Sequence, residues 1–251
     1  MPPHLSTDEL ERYDRQILIT EIGLTGQARL KEAKIFICGA GGLGSPIALY
    51  LAAAGIGTLT LIDHDRVALS NLNRQILHGE ADIGREKVDS ARDKLARMNS
   101  HIIIKTSAVT ITKENAAALI SGHDVIIDAL DNPETRYILN EVALKLRIPF
   151  VHGAVSGFEG RVLTVMPGKS TCLRCLYRGP VTQAPKFPVI GVTPAVIGAI
   201  QATEALKILL GIGKLLTDRL LIYDGLTLTW KEFTVKKNPN CDHCGQRQSA
   251  I

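Results

Sequence analysis

The chain has no polybasic arm, no apolar leader, no internal repeat and no low-complexity stretch. Lys and Arg number 29 against 25 Asp and Glu, a formal charge of +4. Nothing in that balance resembles a nucleic-acid-binding arm or a basic membrane patch. Met1-Pro2-Pro3-His4 offers no signal segment, and no run approaches transmembrane length. The expectation is a cytoplasmic protein with neither nucleic acid nor membrane as partner. The missing repeat excludes solenoids and propellers. What remains is 251 residues, 45 % hydrophobic and 22 % charged, enough for one large α/β core.

Cysteine is scarce, and its placement is informative. Four of the five cysteines form two pairs, Cys172-x-x-Cys175 and Cys241-x-x-Cys244. Each pair sets two thiolates on one tight turn, and two such turns close a tetrahedral Cys₄ site. The pairs are too far apart for one local finger, so the fold must bring them together, with Zn²⁺ pinning the C-terminal tail to the body. Neither pair is expected to open a helix after a strand, as a redox C-x-x-C would. The zinc is expected to be structural. Four thiolates and one Zn²⁺ would lower the net charge to about +2. Thiols used as ligands suit a reducing compartment.

Strands and helices alternate along the first half. Ser6 with Glu9 forms a capping box before a short polar helix that carries Arg12 and Arg15. Lys34-Ile35-Phe36-Ile37-Cys38 is an apolar run ending in glycines, as a buried parallel strand should. Then come a helix over 44–54, strand 58–62, helix 85–97, strand 101–106, helix 113–120, strand 124–128, helix 133–146 and strand 149–152. These are right-handed βαβ units, and the fold class is α/β: a Rossmann-like, mostly parallel sheet covered on both faces. After Gly153 the pattern changes to a strand over 156–166, a crossover loop over 167–192, a helix over 193–210 and strands over 219–224 and 227–235. These continue the sheet as antiparallel strands before the Cys₄ tail.

Gly39-Ala40-Gly41-Gly42-Leu43-Gly44 satisfies G-x-G-x-x-G between a strand and a helix. Asp63 follows Gly44 by nineteen residues, where a carboxylate bonds a ribose hydroxyl. Such a loop captures phosphate through backbone N–H groups and the helix dipole. Taken alone it points to NAD and an oxidoreductase. The polar residues that follow point elsewhere. Ser70-Asn71-Leu72-Asn73-Arg74-Gln75 lies just past the second strand, Lys87 opens the next helix, and Asp131-Asn132 follows the strand begun at Asp124, at its carboxyl end. Two cations and an acid able to hold Mg²⁺ suit a nucleoside triphosphate. Read one at a time, Arg74 and Lys87 are solvated charges and Asp131-Asn132 a helix cap.

With these motifs, together with Arg12-Tyr13-Asp14-Arg15-Gln16, Gln201-Ala202-Thr203-Glu204-Ala205, Tyr223-Asp224 and both cysteine pairs, the chain resembles the ThiF/MoeB/HesA family from about residue 8 to residue 246. These are bacterial and archaeal relatives of ubiquitin-activating enzymes. The resemblance implies ATP-dependent adenylylation of the C-terminal glycine of a small ubiquitin-like sulfur carrier with a Gly-Gly tail. It implies a homodimer in which Arg15 reaches the partner's triphosphate. It implies a nucleotide site of Gly39, Gly41, Gly42, Gly44, Asp63, Asp65, Asn71, Arg74, Gln75, Lys87, Asp131 and Asn132. Arg74 and Lys87 would meet phosphate charge, Asp131 would hold Mg²⁺, and Asp63 would bind ribose. One domain is expected over 1–251: a helical segment 1–32, a nucleotide-binding half 33–153, and a half 154–251 for carrier binding, dimerisation and zinc.

One departure bears on mechanism. Some members carry a further cysteine in the crossover loop, and residues 176–192 have none. Cys38, the fifth thiol, reads as a small buried hydrophobe. Adenylylation without a covalent enzyme intermediate, and with a separate sulfur donor, is expected. Arg136, His152 and Arg161 receive no role. The competing readings are an NAD-dependent oxidoreductase and a non-catalytic dimeric binding protein of the same fold.

Overall fold

A computed structural model describes residues 4–179 and 188–245. It begins with three helices, α1 (Thr7–Arg12), α2 (Asp14–Ile17) and α3 (Gly23–Glu32), where the sequence suggested one short helix. The capping box is present: Ser6 Oγ accepts the Glu9 N–H at 3.2 Å, and Glu9 Oε2 accepts the Ser6 N–H at 2.7 Å. The alternation follows as β1 (Lys34–Cys38), α4 (Gly44–Ala53), β2 (Thr58–Ile62), α5 (Lys87–Met98), β3 (Ile103–Ser107), α6 (Ala116–Ile120), β4 (Val125–Asp128), α7 (Pro133–Leu146) and β5 (Phe150–Ser156). The chain then runs through β6 (Glu159–Val165), α8 (Leu173–Leu176), α9 (Val192–Leu210), β7 (Arg219–Asp224) and β8 (Thr229–Thr234).

All eight strands lie in one sheet of order β3-β2-β1-β4-β5-β6-β7-β8. The first five are parallel, in the Rossmann order, and β6, β7 and β8 continue antiparallel. The core divides between the two faces because side chains alternate along each strand. Ile35 and Ile37 point to the face packed by α4 and α9, with Ile47, Leu51 and Ile197. Phe36 and Cys38 point to the other face, with Leu139, Phe150 and Leu173.

Beyond shifts of a few residues at element ends, three features differ from expectation. β5 runs on to Ser156, because Gly153 marks a close approach and not a strand end: a Cβ there would lie 2.2 Å from Gln201 Oε1 of α9. The crossover region contains α8, whose N-cap is Cys172, so one C-x-x-C does open a short helix. Finally, α9 is long and apolar enough to cross a membrane by length and composition, contrary to the expectation that no run approaches that length. Its apolar character is explained by packing against α4, β5 and β6.

Candidate nucleotide site and metal centre

Where the strand order reverses about β1, the carboxyl ends of β1, β2 and β4 open onto a cavity of about 550 Å³. Open α/β sheets bind ligands at this switch point. The glycine loop forms one wall. Gly39 has φ +104°, and a Cβ there would meet the Ala129 carbonyl at 2.5 Å. A Cβ on Gly44 would lie 2.0 Å from the Gly39 carbonyl oxygen. Both are needed for loop closure against β4, while Gly41 and Gly42 line the open space ahead of the α4 N-terminus.

Asp63 leaves β2 and ties itself to the loop. Its Oδ2 accepts the Ala40 N–H at 2.8 Å and its Oδ1 accepts the Asp65 N–H at 2.9 Å. A carboxylate has about four acceptor positions, so it retains capacity for a ligand hydroxyl. The Ala40 peptide is held at its other end by His78, whose Nε2 lies 2.9 Å from the Ala40 oxygen while Nδ1 lies 2.9 Å from Ser90 Oγ. Facing a carbonyl, Nε2 must carry the proton. Burial holds the His78 pKa below its ordinary value, so the ring is neutral at pH 7.

The charged residues converge on this cavity. Asp65, Arg74, Gln75, Lys87, Asp131 and Asn132 all line it. Lys87, the first residue of α5, donates to Asp65 Oδ2 at 2.8 Å. Partial burial of Asp65 pushes its carboxyl upward, but the Lys87 hydrogen bond and charge outweigh this and hold it below the ordinary range. Arg74 Nη1 donates to the Ser70 carbonyl at 2.9 Å and to Asn73 Oδ1 at 3.0 Å. Gln75 is buried, and its Oε1 has no partner among the described residues. Asn132 Oδ1 caps α7 by accepting the Thr135 N–H at 2.9 Å, while Asp131 is exposed at the rim.

Three expected residues do not line the cavity, one of them Gly44, which packs under the loop against the Gly39 carbonyl. Asn71 does not line the cavity; its Oδ1 accepts the Ala68 N–H at 3.1 Å, closing a 3₁₀ turn, and its neighbours Ser70 and Asn73 line the wall instead. Arg15 is exposed on α2, away from this chain's cavity. Its flanks are anchored. Tyr13 is buried with its hydroxyl accepting from Asn99 Nδ2 at 2.8 Å, and Gln16 Nε2 donates to Gln27 at 2.8 Å. Arg136, given no role by the sequence, lines the cavity. So do Val109, Thr110 and Ile111, which follow β3 at the same sheet edge, and the edge rule alone would have found them.

On the face of the sheet packed by α7 the two cysteine pairs meet. Cys172 Sγ lies 3.6 Å from Cys241 Sγ and Cys175 Sγ lies 3.4 Å from Cys244 Sγ, with all four sulfurs within 4.8 Å of one another. A tetrahedron with Zn–S bonds of about 2.3 Å has edges of about 3.8 Å, so the four thiols fit a metal of this kind. Burial raises the Cys172 thiol to about 11 and raises Cys244 as well, whereas at Cys175 burial acts upward but the hydrogen bonds it receives, the Asn238 N–H among them, bring it down; a bound cation would favour the thiolate at all of them. Asn140 of α7 braces both turns. Its Oδ1 accepts the Leu173 N–H at 3.0 Å and its Nδ2 lies 2.7 Å from His243 Nδ1.

The profile of the ThiF family matches residues 13–243. The chain belongs to the ThiF family. It is 43 % identical over 248 residues to the adenylyltransferase and sulfurtransferase MOCS3 of Anopheles gambiae, an alignment covering 96 % of this chain and 56 % of that protein. This chain thus spans just over half the length of that relative. It is 41 % identical over 248 residues to the sulfur carrier protein adenylyltransferase of Thermus thermophilus, covering 95 % of this chain and 92 % of that one. Among solved structures, E. coli MccB superposes with a TM-score of 0.85 at 23 % identity, covering 93 % of this chain and 73 % of MccB. That likeness speaks for the fold alone. These relatives do not favour the oxidoreductase reading that the glycine loop alone would permit.

Proposed function

We propose that this chain adenylylates the C-terminal glycine carboxylate of a small ubiquitin-like sulfur carrier, consuming ATP and releasing pyrophosphate. The observation that carries this is the convergence of Arg74, Lys87 and Asp131 on the glycine-loop cavity. A dinucleotide needs neither that positive charge nor a metal-binding acid. The kinship with a Thermus protein named for carrier adenylylation supports the same chemistry.

The attacking carboxylate is already ionised at neutral pH, so no general base is required. One of its oxygens forms a bond to the α-phosphorus while the α–β P–O bond breaks, and the electron pair leaves with pyrophosphate. Two anions must meet, so the barrier is electrostatic and orientational. Arg74 and Lys87 offset the charge gathering on the leaving phosphates. The glycine loop orients the triphosphate, and Asp63 holds the ribose. Mg²⁺ would be held by Asp131 and would add positive charge to the triphosphate. Zn²⁺ in the Cys₄ centre serves the fold. In the homodimer we infer, Arg15 is offered to the partner's cavity, a separate protein delivers sulfur, and the setting is cytoplasmic.

ATP–pyrophosphate exchange in the presence of each small Gly-Gly-ending protein of the source organism tests this reading. Exchange with one of them, lost in Arg74→Ala or Asp131→Ala by roughly 100- to 1,000-fold, is expected. Absence of exchange with all of them, together with tight NAD binding seen by fluorescence, would overturn it in favour of the oxidoreductase.

A further inference from the structure

Beside the cavity lies a buried polar cluster that takes no part in the chemistry above. The sheet register sets Cys38, Asp128 and His152 in one row across β1, β4 and β5. Asp128 and His152 are fully buried. Burying a carboxylate is costly unless it is paired, and an apolar set of the same volume would often be as stable. Packing by itself therefore does not explain the choice.

The contacts of the cluster converge on one turn. Asp128 Oδ1 accepts the Leu130 N–H at 3.0 Å. Asp128 Oδ2 lies 2.6 Å from His152 Nδ1 and 3.4 Å from Arg136 Nε. Arg136 in turn donates through Nη2 to the Leu130 carbonyl. Gln201 Nε2, arriving from α9, donates to the Asp128 carbonyl at 2.7 Å. The peptide groups of Leu130 are thus gripped at both N–H and C=O, one residue before Asp131. His152 stands against a carboxylate, so its proton sits on Nδ1, while Nε2 has no partner among the described residues. Burial holds the ring neutral despite the pull of Asp128.

We propose that Asp128 and His152 are positioning residues of the adenylylation site. They clamp the Leu130 turn directly and through Arg136, so that the Asp131 carboxylate is presented to the magnesium-bound triphosphate in one orientation. This rests on the adenylylation reading for the role of Asp131. Partners that orient a metal-holding group typically contribute tenfold to a hundredfold in metal affinity or activity.

The test is the Mg²⁺ dependence of ATP–pyrophosphate exchange in the full chain. His152→Leu is expected to raise the Mg²⁺ concentration for half-maximal exchange by roughly tenfold to a hundredfold. ATP binding without Mg²⁺ should change little. His152→Asn, which can return an N–H to Asp128, is expected to reverse most of the shift. Asp128→Asn keeps an oxygen for the Leu130 N–H and turns an amide N–H toward His152, which can accept it at Nδ1 in its other tautomer; it loses the charge that draws Arg136, and should shift the Mg²⁺ requirement the same way. It carries the experiment if His152→Leu does not fold. Thr164→Val, which removes a buried 2.6 Å hydrogen bond to Glu204 away from the turn, is the destabilised control. If folded His152→Leu or Asp128→Asn matches that control in Mg²⁺ dependence, the positioning role is wrong while the adenylylation reading stands. A wild-type chain without exchange would take down both.

Discussion

Lys87 Nζ sits 2.8 Å from Asp65 Oδ2, with the lysine side chain 6 % exposed and the aspartate 53 % exposed. A desolvated ammonium at the start of a helix, where the dipole is unfavourable to a cation, requires an anion in front of it. Asp65 supplies one, and the cavity gives room for a phosphate beside it. Lys87→Met is expected to cut pyrophosphate exchange by roughly 100- to 1,000-fold. Asp65 keeps its solvent, so the melting temperature should change little. Exchange at the wild-type rate would remove Lys87 from the site.

The metal centre should be separable from nucleotide binding. Metal analysis of protein purified without chelator should find zinc near one per chain. Cys241→Ser should lower the melting temperature or the soluble yield, because the tail beyond β8 loses its anchor. The folded fraction should still bind ATP, since the four sulfurs and the nucleotide cavity share no lining residue. A folded Cys241→Ser chain unable to bind ATP would show that the two are coupled.

Activation is expected to proceed without an enzyme–carrier thioester. Cys38 is 2 % exposed in β1, and burial first, then the nearby Asp128 and Asp63, push its thiol well above the ordinary range. A protonated thiol is a poor nucleophile. Of the candidates near the crossover, Thr193 is buried in the first turn of α9, while Thr182, Gln183 and Lys186 lie outside the described residues, and none of them is a thiol. Cys38→Ala should leave adenylate formation and carrier thiocarboxylation intact. A thiol-sensitive adduct that vanishes in this variant would prove the opposite.

Acid should weaken the tie between the 3₁₀ turn at Glu80–Asp82 and α5. Burial pushes Asp82 upward, but its bonds to Lys94 and to the Gly79 N–H prevail and bring it down to about 2. Its folded value lies below the unfolded value of about 3.9, so its contribution is complete above about pH 4 and is lost as pH falls toward 2. That contribution is at most a few kcal/mol. Asp82→Asn should therefore lower stability at pH 7, and the difference from wild type in urea unfolding should shrink below pH 4. A constant difference from pH 7 to pH 2.5 would contradict the assignment.

Much of the site was legible because its signals are local. A glycine loop must sit where backbone approaches backbone, and Gly39 and Gly44 do so against Ala129 and each other. Asp63 ends a strand, Lys87 opens a helix, and Ser6 with Glu9 makes a cap. Each of these is settled within a few residues by backbone geometry or periodicity. The cysteine spacing likewise implied a shared centre before any contact was visible.

What tertiary structure decided is which side chains meet through space. No spacing rule distinguishes Asn71, spent on a 3₁₀ turn, from Ser70 and Asn73, which face the cavity. Gly153 reads as a strand end, yet it is where Gln201 of α9 presses on the sheet. Asp128, Arg136, His152 and Gln201 come from four elements, and only the parallel pairing of β4 with β5 under α9 joins them. Sequence by itself determined the alternating strands and helices, the glycine loop and the pairing of the four cysteines, because local sterics and ligand chemistry are written in short windows. Strand order and helix packing determined the rest, because burial forces distant polar groups to find one another.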